Sequence, residues 1–282
     1  MKIDIYQVNA FTNSTFSGNT SAVCPLEKQI NDTLMQHIAA ETNLSKTAFI
    51  HKIEANLYEV RWFTPTTEIS INDHAALASA YVIFNFLEKD LNEITLKSIS
   101  GDIKITKNKN MFSFGFTYNM PELHRENNPI FSLSTGIEPL KVLKDKDYIL
   151  VYENEEIVKN LHPKIEVLKS LDLRGVCITA KGDDCDFVFR YFAPKLGVNE
   201  DLVTGSLCSQ LAPYWSQVLN KKSLNAAQLL PSRKSDLICE LNDDKMIIKG
   251  EATLFMKGEI IIEERKTPRD GEQQKSKLAV AV

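Results

Sequence analysis

Glu41, His74, Asp201 and Ser206 have the types and settings that proton transfer needs. Leu34, Ile38 and Glu41 follow an i, i+4, i+7 spacing, which sets the carboxylate on the apolar face of a helix. Taking a carboxylate out of water raises its pKa, and a glutamate near neutrality can both take and return a proton. The other reading of Glu41 is a ragged helix end whose side chain swings out to solvent. His74 opens an apolar helix, where free N–H groups and the helix dipole favour an anion. It can donate to a substrate carboxylate, move a proton, or serve as a satisfied core histidine. Asp201, just ahead of a second apolar helix, is either a functional acid or a surface loop acid. Ser206 is a natural N-cap, and Gly205 either lets the backbone approach a ligand or turns the chain. Cys208, one turn further on, is a candidate nucleophile or a small buried hydrophobe.

The elements that must position these residues come in two copies. Arg61-Trp-Phe-Thr-Pro65 and Arg190-Tyr-Phe-Ala-Pro194 are nearly the same pentapeptide, each followed by a polar stretch and a small-residue helix start. These starts are Asn72-Asp73-His74-Ala75-Ala76 and Thr204-Gly205-Ser206-Leu207. A strand–turn–helix unit used twice predicts two similar halves whose helix starts meet. Arg61 and Arg190 are candidate anion clamps or structural ion pairs in the contact between the halves. In the first half, Asn31 or Asp32 caps a helix that ends near Thr42 and stops at Asn43. Strands are expected at 3–9, 47–51, 57–63, 93–99, 103–107 and 111–116. The segment 75–86 is apolar on nearly every face and predicts a helix buried all round. In the second half, strands are expected at 148–152, 175–179, 187–192, 237–241, 245–250, 253–257 and 259–264, with a helix over 155–171. A helix from Ser206 to Leu219 carries the stripe Leu207, Leu211, Tyr214, Trp215 and Val218, with Pro213 as a kink. The expected division is a half at 1–118, a linker at 119–129, a half at 130–265, and a tail at 266–282 that packs back on the first half.

At 282 residues the chain can hold two ordinary cores, and 43% hydrophobic with 25% charged residues is a globular composition. The net charge is −4 with lysines scattered, so no basic face for nucleic acid is present. The longest apolar run is too short to span a bilayer, and the first strand lacks a signal peptide's apolar region. Five cysteines without close pairing predict reduced thiols in a cytoplasmic protein and no metal site. P-loop, dinucleotide and nucleophile-elbow motifs are absent.

In combination the motifs resemble the phenazine-biosynthesis-like isomerase family, which shares the diaminopimelate epimerase-like fold. The matching segments are Phe11–Val23, Ala39–Ser45, Arg61–Pro65 with Glu68, His74, Ser100-Gly101, Arg190–Pro194, Glu200-Asp201, Thr204–Ser206 and Leu211–Trp215. The resemblance implies an α+β fold of two pseudo-symmetric halves, each an antiparallel barrel-like sheet around a central helix. It implies a cofactor-free isomerase, a homodimer, that moves a proton within a small carboxylate-bearing metabolite in the cleft between the halves. Glu41, His74 and Asp201 take the catalytic positions, and Gly18, Asn19, Asp73, Gly205 and Ser206 the substrate-binding ones. Two departures stand out. Asn72 and Ser209 occupy the positions of the two cysteines used by the epimerase branch, which argues against two-thiol racemisation. Asp73 replaces a glycine, adding bulk and negative charge, with an N-cap role as its first reading. It keeps open a second class of function, a non-catalytic small-molecule-binding or scaffold protein. A hydrolase or epimerase built on Cys208 is the third.

Overall fold

In the computed structural model, residues 1–70, 73–125, 128–201, 204–230, 233–243 and 245–263 are described. The first half runs β1 (Lys2–Ala10), β2 (Asn19–Leu26), α1 (Asp32–Thr42), β3 (Lys46–Glu54), β4 (Leu57–Phe63), β5 (Glu68–Ile69), α2 (Asp73–Val82), β6 (Glu93–Ser98), β7 (Gly101–Asn108) and β8 (Met111–Phe116). The chain continues through β9 (Glu122–Leu123), α3 (Ile130–Thr135), β10 (Lys141–Lys144), β11 (Tyr148–Val151), α4 (Glu155–Asn160), α5 (Ile165–Lys169), β12 (Val176–Lys181) and β13 (Phe187–Ala193). It closes with β14 (Val198–Asp201), α6 (Cys208–Leu219), β15 (Ser223–Leu229), β16 (Lys234–Leu241), β17 (Met246–Gly250) and β18 (Ala252–Ile261).

The two halves repeat one pairing pattern. In the first, β1 pairs antiparallel with β2, β2 parallel with β3, β3 antiparallel with β4, and β4 parallel with β6. In the second, β10 with β11, β11 with β12, β12 with β13, and β13 with β15 repeat those four senses in order. Antiparallel meanders β6-β7-β8 and β15-β16-β17 finish each half, and β8 pairs with β17 to join them. Each parallel step is crossed by helix: α1 spans β2 to β3, and α2 and α6 occupy the equivalent steps to β6 and β15. This is the α+β, two-half architecture expected from the doubled pentapeptide.

The helix α2 explains how a sheet can wrap so tightly. Ala75, Ala76, Ala78, Ser79 and Ala80 are all buried, so the backbone of α2 sits close to the strands on several sides. Leu77, Ile83 and Phe84 fill the remaining space with fully buried side chains. Truncating Leu77 to alanine would leave a cavity at a cost of about 2–5 kcal/mol.

Several local expectations needed correction. Residues 155–171 form two short helices, α4 and α5, because Pro163 lacks the amide that would continue the ladder. The strands expected at 253–257 and 259–264 are one strand, β18, which pairs with β1 of the first half. In the same way β9, inside the segment assigned as linker, pairs with β10 of the second half. Strands β10 and β15 carry weak alternation and were not expected from the pattern. Val218, placed on the apolar stripe of α6, is half exposed at 50%. The 266–282 tail lies outside the described residues, as does Asn72.

Candidate active site

The pentapeptide arginines bind within their own halves. Arg61 forms a two-pronged pair with Glu68, both bonds at 2.7 Å, and a third bond to Asp32 at 2.6 Å. Arg190 pairs with Glu200 at 2.6 and 3.0 Å and donates to the carbonyls of Val158, Lys159 and Leu161. Each guanidinium also lies over the phenylalanine two residues on, at 5.4 Å for Phe63 and 5.1 Å for Phe192. They are structural residues, and the expected contact between halves through them does not occur.

That contact is made just downstream. Asp73 is the first residue of α2, and its carboxylate Oδ2 accepts the backbone N–H of Ser206 from the other half. Its N-cap role is therefore exercised on the opposite helical start, the 3₁₀ turn Gly205–Leu207 that leads into α6, rather than on its own helix. Asp73 is 6% exposed. Burial raises its pKa to about 6, against hydrogen bonds from Ser206 and the charge of Arg174, which lower it. A Cβ on Gly205 would stand 3.2 Å from the Asp73 carboxylate, so glycine permits this approach.

His74, 2% exposed, lies beside Asn19, whose Nδ2 is 3.3 Å from the histidine Nδ1. Asn19 opens β2 and also accepts from Ser45 Oγ at 3.2 Å. Gly18 ahead of it has φ +71°, and a Cβ there would meet the Ala10 carbonyl at 2.3 Å, so only glycine fits. Its N–H bonds the Lys234 carbonyl of the second half at 3.1 Å. Asp201 ends β14, accepts from Thr204 Oγ1 at 2.8 Å, and receives Gln228 Nε2 on its carbonyl at 2.8 Å. Seven of the eight expected site residues, all but Glu41, thus lie at or beside the meeting of the two helix starts.

A family profile described as phenazine biosynthesis-like protein matches residues 8–258. The chain belongs to the phenazine biosynthesis-like family. A curated relative, an uncharacterised isomerase of Pseudomonas aeruginosa, is 39% identical over 92% of this chain and 98% of its own. A crystal structure of a phenazine biosynthesis protein of the PhzF family from Enterococcus faecalis is 41% identical, with a TM-score of 0.90, covering 93% of this chain and 100% of that one. A hydroxyproline epimerase from Agrobacterium vitis, at 8% identity, TM-score 0.60 and 94% coverage of each chain, shares the fold alone. As an enzyme the protein is an isomerase of the phenazine biosynthesis-like type.

Glu41 is the residue that the structure moves away from its expected setting. The buried face of α1 is Met35, Ile38 and Ala39, and the next position on that stripe is Thr42. Glu41 is rotated off it and is exposed at the last turn, before the left-handed Asn43. Cys208 is fully buried and its thiol pKa is raised, first by a hydrogen bond with Cys239 and then by burial, which disfavours the thiolate a nucleophile needs.

Sequence reasoning passed over Lys46, the first residue of β3. It is half-buried, and burial pushes its amine below the ordinary lysine value, while the nearby charge of Asp201 acts the other way. The available signal was its place directly after Asn43-Leu44-Ser45, at the start of the strand expected at 47–51.

Proposed function

We propose that the protein is a cofactor-independent isomerase that moves a proton within a small carboxylate-bearing metabolite, at the cleft where Asp73 and His74 face Asp201 and Ser206. The observation that carries this reading is the Asp73–Ser206 bond, which joins the two helix starts across the halves. Titratable groups with low exposure and backbone donors at a helix start are what proton transfer next to a carbonyl requires. In this reading His74 and Asp201 move or hold protons, and Gly18, Asn19, Asp73, Gly205 and Ser206 shape the ligand site. The protein acts on a free small molecule, as a homodimer in the cytoplasm, without metal, nucleic acid or membrane.

The same bond favours one other reading. With the Asp73 carboxylate seated on the Ser206 amide, the position that would take a ligand's anion is filled, as suits a binding protein that retains the fold. Native mass spectrometry of protein purified from its own cell, followed by incubation of the bound metabolite in heavy water, separates the two. Deuterium entering a carbon position supports the isomerase. A tightly bound metabolite that never exchanges supports the binding protein.

A further inference from the structure

We propose that Asp73 is the acid/base of this cleft, the group that takes a proton from one substrate carbon and returns it to another; the proposal deepens the isomerase reading and rests on it. Contacts on the carboxylate itself place it there. Asp73 Oδ2 accepts the Ser206 amide from the other half. A Cβ on Gly205 would stand 3.2 Å from both Cβ and Oδ2 of Asp73 and 3.4 Å from the Phe11 ring, so carboxylate, glycine and ring meet at one point. Phe11 is fully buried and gives this point an apolar wall. Asp201, Thr204 and Ser206 keep partial exposure, so a small molecule can reach it from their side. Ser206 is the one described residue that hydrogen-bonds the carboxylate, by its amide on Oδ2, which leaves Oδ1 for a reacting carbon. Glu41, the acid expected from spacing, is instead exposed at the last turn of α1, off its buried face.

The surroundings suit a carboxylate that works in both directions. Asp73 is the first residue of α2, and its bond to Ser206 also sets it at the start of α6. Free N–H groups at helix starts favour negative charge. When a proton passes from substrate to Asp73, the negative charge passes to the substrate and stays between the same two helix starts. The donors that held the carboxylate then hold the enolate-like state. Burial, working against the Ser206 hydrogen bonds, brings the Asp73 pKa to about 6, close enough to neutrality for a proton to be both taken and released. The other charged and titratable groups acting here are Asp201 at the end of β14, Arg174 ahead of β12, the Cys208 thiol at the start of α6, and His74 next along α2. In the step proposed, a carboxylate oxygen of Asp73 forms an O–H bond as a substrate C–H bond breaks. The electron pair left on carbon spreads into the adjoining carbonyl or unsaturated system. That O–H bond then breaks as the pair forms a C–H bond at a second carbon. No oxidant, reductant or co-reactant is consumed.

The test compares full-length wild type, Asp73→Asn and Asp73→Gly, each shown to be folded by circular dichroism. Asp73→Asn keeps the size and an acceptor for the Ser206 amide, and Asp73→Gly restores the glycine of the family that the motifs resemble. Each protein is incubated in heavy water with a small-molecule extract of its own cell, and deuterium on carbon is read by mass spectrometry. Wild type should take up deuterium, and both variants should lose about 10²-fold or more of the rate. Sodium formate, against sodium chloride as control, should restore uptake to Asp73→Gly, where it has room to replace the missing carboxylate, and not to Asp73→Asn, whose amide fills the place. Uptake at the wild-type rate in either folded variant makes Asp73 a cap alone and overturns the proposal while the isomerase reading stands. Loss in both variants without formate rescue makes it a positioning residue for Ser206 and also overturns the proposal. Silence from wild type brings down the isomerase reading, and the role of Asp73 with it.

Discussion

The carboxylate of Asp73 caps the backbone amide of Ser206, so the first turn of one half's central helix closes the helix start of the other. An acid held this way links the cleft to pH. Folding raises the Asp73 pKa from 3.8 to about 6, mainly through burial, so the folded chain holds this proton more tightly than the unfolded one. The stabilisation is complete below the unfolded value and is lost as pH rises through about 6. A shift of that size corresponds to roughly 3 kcal/mol. Asp73→Asn keeps an acceptor for the Ser206 amide without the charge. Relative to wild type, the variant should gain up to about 3 kcal/mol on going from acid to neutral pH, read from urea unfolding at each pH. Parallel stability profiles would refute the buried setting of this carboxylate.

Arg190 should matter to folding far more than to chemistry. It is 4% exposed and serves Glu200 and three carbonyls at once. Removing it in Arg190→Met leaves a poorly exposed carboxylate without its cation, at a cost of about 3–5 kcal/mol. Lysine should restore only part, since one ammonium cannot reproduce the fork. Chemical denaturation of the three proteins checks both statements.

Glu41→Gln is expected to be almost silent. An exposed side chain at the end of a helix usually changes stability by no more than about 0.5 kcal/mol when its charge is removed. Turnover should also be unchanged, because the carboxylate lies off the buried face of α1. A large loss of turnover in a folded variant would restore Glu41 to the site.

Cys208, Cys177, Cys24 and Cys239 are buried, and only Cys185 is partly accessible among the five thiols. Iodoacetamide should label native protein at Cys185 alone, and slowly, since burial raises that thiol's pKa to about 11. Peptide mass mapping reads the result; rapid labelling of Cys208 would reopen a thiol mechanism.

The doubled pentapeptide made the two halves legible, because Arg61 and Arg190 recur with the same phenylalanine two residues on and the same kind of helix after it. The buried helix α2 was legible too, since an all-apolar run has one stable setting. Glu41 misled because Leu34–Ile38–Glu41 and Met35–Ile38–Ala39 are neighbouring stripes on one helix. Which of them faces the sheet is decided by packing against β3 and β4. The crossing of β18 to β1 was hidden for a similar reason, as a strand's alternation carries no mark of its partner. Lys46 was missed because a single lysine at a strand start has no pattern that marks it as half-buried.

The central claim is that protons move where these halves meet. It is tested most directly by measuring deuterium uptake from heavy water into the bound metabolite with wild type, His74→Asn and Asp201→Asn, each shown to be folded. The account predicts uptake by wild type and a loss of about 10²-fold or more in both variants. Wild-type rates in both variants, or a bound metabolite that wild type never exchanges, would contradict it.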